Sequence, residues 1–192
     1  MRNIRIESSA CIWWAVLLLI LPLRWLVAAV IAGVFHECCH YLAIRAVGGN
    51  VEEIVFRHTG ACMTAAPLEP WQELICSLAG PIGSLVLIPF ARFAPLTAMC
   101  ALVQTTFNLL PVFPLDGGRA MYSALKILCP DRNPDKICRR IGIICIAVLI
   151  VLIILASRMF SLGFGVLIPL AILVQRFFPG KRPCKTARLA LQ

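Results

Sequence analysis

Charged side chains are scarce in this chain. Only 14% of its 192 residues are Asp, Glu, Lys or Arg and 60% are apolar, against about 25% charged and about 45–50% apolar in ordinary soluble domains. That leaves too little polar surface for a soluble DNA- or RNA-binding domain, even at a formal net charge of +9. No Cys-x-x-Cys pair occurs among the ten cysteines, which argues against a zinc site built from cysteine alone. Cys11, Cys38, Cys39, Cys76, Cys100 and Cys145 sit in apolar stretches, where Cys acts as a small hydrophobe. Free thiols in a reducing context are expected, not a disulfide frame. With no internal repeat or low-complexity linker, residues 1–192 read as a single domain.

Long apolar runs are what the sequence has in abundance. The run at 10–23 follows a basic start, but no small-residue cleavage site follows it, so it reads as a retained span and not as a signal peptide. Further runs at about 25–46, 71–92, 95–112, 141–157 and 161–178 approach the ~20 residues that cross ~30 Å of hydrocarbon. The expected fold class is all-α and multi-pass, with about six transmembrane helices. Alternating these spans leaves Arg24, Arg92 and Arg158 on one side and the other 15 of the 18 Lys and Arg residues on the opposite side. The excess of positive charge places both termini in the cytoplasm. Two inside segments are not spans: 51–65 reads as a short membrane-associated β-hairpin with a free edge, and 118–129 as an amphipathic helix at the interface.

The second span carries His36-Glu37-Cys38-Cys39-His40, although an acidic residue at bilayer depth costs about 2.5–3.5 kcal/mol even on a lenient scale. His36 and His40 lie one turn apart and about 40° around the helix, so both imidazoles can face one ion. An HExxH order supplies two neutral imidazole ligands and a carboxylate able to take a proton from water at the metal. The plainer alternative is a hydrogen-bonded cluster inside a helix bundle, but ionisable groups within a membrane favour a functional site.

A zinc enzyme needs a third protein ligand and one open position. The fourth span ends in Asn108-Leu109-Leu110-Pro111-Val112-Phe113-Pro114-Leu115-Asp116-Gly117-Gly118. Pro111 and Pro114 unwind the helix there, and the glycine pair lets the chain bring Asp116 back towards the second span. Taken alone, Asp116 reads equally well as a helix N-cap or part of an Asp-Gly turn. Three further residues have double readings: His58 is a turn residue or a substitute ligand, Cys39 a packed thiol or a thiolate ligand, and Asn108 an interhelical hydrogen-bonding group or a substrate contact. Ala79-Gly80-Pro81-Ile82-Gly83 reads as a close-packing stretch.

These motifs resemble those of the site-2 protease family of intramembrane zinc metalloproteases, peptidase family M50, over about residues 10–178. The likeness rests on the 36–40 motif, on Ala79-Gly80-Pro81 and on Asn108 to Gly118, and it is greatest to the family's sporulation branch. The resemblance implies a Zn²⁺ cofactor held by His36, His40 and Asp116, with Glu37 as the catalytic carboxylate. It further implies substrate binding by Asn108, Pro111 and Pro114. The implied activity is hydrolysis of a peptide bond within or next to a transmembrane segment, and the sporulation branch implies a sigma-factor precursor as substrate. Neither the CBS domain of that branch nor a PDZ-like insertion is expected here. The expected setting is a bacterial cell membrane; the expected partners are a membrane-protein substrate and the lipid bilayer, with room for an inhibitory membrane protein and none for nucleic acid. The rival readings are a metal-ion transporter that uses the same His/Asp cluster as a transit site and a non-catalytic membrane scaffold.

Overall fold

Leu23–Ala46 forms the first long helix, α1, directly after Pro22, whose fixed φ suits the residue that opens a helix. The computed structural model describes residues 3–8, 15, 17–19, 21–57 and 60–160. Around α1 it places strand β1 (Asn3–Ile6), the hairpin strands β2 (Val51–Arg57) and β3 (Gly60–Ala65), and helix α2 (Pro70–Ser84) with a 3-10 continuation, Leu85–Arg92. Helices α3 (Pro95–Asn108), α4 (Asp116–Leu128) and α5 (Pro134–Phe160) follow. Pro81 and Pro89 each remove a backbone donor from the second long helix, which tightens to 3-10 geometry after Ser84.

Among the described residues, three helical stretches are long and apolar enough to cross a membrane: Leu23–Ala46, Pro70–Arg92 and Pro134–Leu155. Large apolar side chains such as Val27, Ile31 and Val34 on α1 and Val148, Val151 and Leu155 on α5 face outward, as expected of a surface solvated by lipid. The fourth expected span, 95–112, is helical only to Asn108 and has 14 residues, about 21 Å of helix. Pro111 accounts for the early stop, because it has no N–H to donate and disfavours α geometry in the residue before it. Helix α5 starts at Pro134, ahead of the expected 141, because Asn133 Oδ1 accepts from the backbone N–H groups of Asp135 and Lys136 at 3.1 and 3.3 Å. The expected span at 161–178, half of 10–23, His58 and the basic tail lie outside the described residues.

The hairpin is antiparallel, and β1 adds to it in parallel, pairing Asn3 with Glu53 through to Ile6 with Phe56. In the strand order β1-β2-β3 the β2 edge of the hairpin is not free. That edge is covered by the chain's own first strand, and α1 supplies the long connection that a parallel pair requires. On the β3 side, no strand pairs with the hairpin among the described residues.

Helix α2 lies against α1, α3 and α4. Its start is tied to the end of α1 by Gln72, which accepts from Glu69 N–H at 2.9 Å and donates to the Val47 carbonyl at 3.0 Å. Buried Ile44, Val51, Ala65 and Cys76 join α1, the hairpin and α2 in one cluster. A second cluster, Val112, Leu115 and Ile146, fixes the turn before Asp116 on α5. These two contacts hold the chain on either side of the polar site.

Candidate metal centre

Two rings from α1 and one carboxylate from α4 meet in the interior. His36 Nε2 lies 3.2 Å from His40 Nε2, and Asp116 Oδ2 lies 3.1 Å from the first and 3.2 Å from the second. Among the described residues these form a His/Cys/Asp/Glu group able to hold a metal ion. The His36 side chain is 1% exposed, whereas His40 and Asp116 are 12% and 14% exposed, so the cluster opens on the side of the latter two.

The opposite nitrogens determine what the inner ones can offer. His40 Nδ1 lies 2.7 Å from the Cys76 carbonyl oxygen, which can only accept, so Nδ1 carries the ring proton. Ser84 Oγ donates to the Gly80 carbonyl at 2.8 Å and lies 3.0 Å from His36 Nδ1. Its own hydrogen is thus committed, and it accepts from His36 Nδ1–H. Both neutral rings therefore turn an Nε2 lone pair towards the same point. Two lone pairs and an anion at this spacing repel one another unless a cation sits among them.

The donor set fits zinc. Ligand atoms 2.0–2.1 Å from a tetrahedral ion are about 3.3–3.4 Å apart, close to the observed 3.1–3.2 Å triangle. Three protein donors on one face leave a fourth position open.

Helix α2 supplies none of the three donors but orients two of them. Besides Ser84 and the Cys76 carbonyl, it brings Gly80 so close to His40 that a Cβ there would collide with Nε2. A Cβ at Gly83 would likewise meet Cys39 Sγ, which accounts for Cys39 as a packed group outside the triangle. The close-packing stretch of the sequence is thus part of the site's wall. Ser84 and the Cys76 carbonyl were not singled out by sequence reasoning. A backbone carbonyl has no residue signature, and the only hint of Ser84 was a polar group following the Gly-Pro stretch.

The remaining site residues lie at different distances from the triangle. Asn108, the last residue of α3, places Nδ2 3.1 Å from His36 Nε2. Helix α4 starts at Asp116 with no side-chain cap, so the carboxylate is directed to the rings and not to its own helix terminus. A Cβ at Gly117 would meet the Leu109 carbonyl, and one at Gly118 would lie 2.5 Å from the Val112 carbonyl carbon, so only glycine allows α4 to start this close to the preceding turn. Glu37 is partly buried on α1 between the two histidines. Pro111 is partly buried and Pro114 exposed, both in the turn between α3 and α4.

Residues 77–154 match the model for peptidase family M50. A protein of Synechocystis sp. that bears a zinc metalloprotease name is 31% identical over 134 residues, 61% of this chain and 35% of the relative. A zinc metalloprotease of Methanocaldococcus jannaschii is 27% identical over 145 residues, 68% of this chain and 40% of the relative. The matched regions thus span well under two thirds of those relatives' own lengths. The fold is similar to that of a site-2 protease from Methanocaldococcus jannaschii, with a TM-score of 0.68 at 19% identity, covering 96% of this chain and 94% of that one. These likenesses are to peptidase family M50 over residues 77–154, to zinc metalloproteases over part of their length, and in fold to a site-2 protease.

Proposed function

We propose that this chain is a membrane-embedded zinc metalloprotease that cleaves a peptide bond within or beside a transmembrane segment. The observation that carries the reading is the convergence of two Nε2 lone pairs and the Asp116 carboxylate, with both outer ring protons already committed. His36, His40 and Asp116 are the proposed ligands. Zinc in such a site supplies Lewis acidity towards a peptide carbonyl and towards water. Glu37 takes the proton from the attacking water and returns it to the departing amine. Asn108, already at the edge of the triangle, holds a substrate carbonyl. Pro111 and Pro114 keep the adjoining turn out of helical form, so that an unwound segment can lie along it.

A transmembrane substrate hides its amides in helical hydrogen bonds and must open locally before attack. With β1 on the β2 edge, the β3 edge of the sheet is the side of the hairpin that can receive an extended segment. Six spans with both termini in the cytoplasm complete the proposed topology. The likeness to the sporulation branch makes a membrane-associated sigma-factor precursor the first substrate to try.

The Glu37→Gln variant tests the reading. It is expected to retain one zinc per chain and to lose roughly 10²–10⁴-fold in cleavage rate, so that a membrane protein accumulates uncut in cells carrying it. A metal-ion transporter would keep its function in this variant, and that result would refute the protease.

A further inference from the structure

The ligands come from two helices, and something must keep those helices in register to a few tenths of an ångström. The geometry points to Glu73 and Arg119 as a positioning clamp that sets the Asp116 carboxylate against the two imidazoles. This inference rests on the zinc reading above and extends it to residues that do not touch the metal.

Helix α4 contributes one ligand, from its first residue, and the next two positions are glycines with no side chain to anchor. Arg119 is the first side chain after Asp116 that can reach another helix, and it lies one turn further on along the same side. Its Nη2 lies 3.6 Å from Glu73 Oε1 on α2, with the two side chains 30% and 20% exposed. Partial burial reduces the screening that makes exposed pairs nearly worthless. Glu73 in turn stands one turn before Cys76, whose carbonyl holds His40 Nδ1. The path runs from Asp116 through Arg119 and Glu73 to Cys76 and His40, and both of its ends meet in the metal triangle. Glycines 117 and 118 let α4 start in close contact with the 109–113 turn. The ion pair therefore limits movement of α4 away from α2, the movement that would lift Asp116 off the rings.

A pair that only stabilised the fold would show its effect in the melting of the zinc-free chain and not in metal affinity. The test uses the full chain in detergent. Zinc affinity is measured by chelator competition, alongside thermal stability without zinc, for wild type, Glu73→Gln, Arg119→Gln, the double variant, Arg119→Lys and the exchanged pair Glu73→Arg with Arg119→Glu. Each single Gln variant is expected to weaken zinc binding roughly ten-fold. The double variant should be no worse than the weaker single, and the exchanged pair should recover to within about three-fold of wild type. Arg119→Lys keeps the charge without the planar fork and should fall between wild type and Arg119→Gln. Unchanged zinc affinity in the single variants, or additive losses without recovery in the exchange, overturns the clamp while leaving the protease reading intact. A wild-type chain that takes up no zinc overturns both.

Discussion

Helices α1 and α2 stand side by side in the same apolar layer and make opposite contributions to the site. Helix α1 carries the two histidines of the triangle and Glu37 between them, within five residues. Helix α2 supplies no ligand, yet its Cys76 carbonyl, Gly80 and Ser84 recur at four-residue intervals along one stripe and fix how the α1 rings are turned. The contrast teaches that the two imidazoles are supplied by the spacing within one helix, whereas the direction they face belongs to the packing between two. Tautomer choice follows the second: with Nδ1 committed on both rings, Nε2 is the nitrogen left for a metal.

Substitutions on the two helices sharpen this division. The largest loss belongs to α1: His40→Ala removes a donor, and zinc affinity measured by chelator competition should fall by more than the roughly 100-fold that bounds supporting-residue effects. On α2, Gly80→Ala forces a methyl group into the His40 ring. It should cost about 1–3 kcal/mol of stability by overpacking and weaken zinc binding as well, which a paired melt and metal titration would show. Ser84→Ala removes the acceptor that holds His36 Nδ1; a roughly ten-fold loss of zinc affinity is expected, with about 1–3 kcal/mol of stability lost because the buried ring N–H is left without a partner. Gln72→Ala, at the far end of α2 from Ser84, breaks the bridge to Val47. It should cost about 1 kcal/mol in denaturation and leave zinc affinity unchanged. If Ser84→Ala and Gln72→Ala have the same effect on zinc, the division between the helices fails.

The same contrast explains what the sequence revealed. The 36–40 motif was legible because helical spacing alone brings His36 and His40 onto one face; Asp116 was legible only in combination with that motif, since an acid after two prolines and before two glycines reads equally well as a helix cap or turn. The hairpin was legible from its turn and flanking strands. Strand β1 was not: four residues, Asn3–Ile6, carry too little pattern, and their partner lies some fifty residues further along the chain. The apolar run at 95–112 was read as one span, but Pro111 ends its helical geometry at Asn108, because backbone hydrogen bonding and not hydropathy decides where a helix stops. Glu73 and Arg119 are individually ordinary charges, and only the packing of α4 on α2 joins them.

Removing zinc with a chelator should lower the melting temperature of the wild-type chain, since two lone pairs and a carboxylate are then left facing one another. The most direct test is X-ray absorption at the zinc edge of the purified Glu37→Gln chain. The account predicts one zinc per chain surrounded by nitrogen and oxygen alone at about 2.0–2.2 Å. A sulfur scatterer at about 2.3 Å, which would bring Cys38 or Cys39 to the ion in place of the carboxylate, would contradict it.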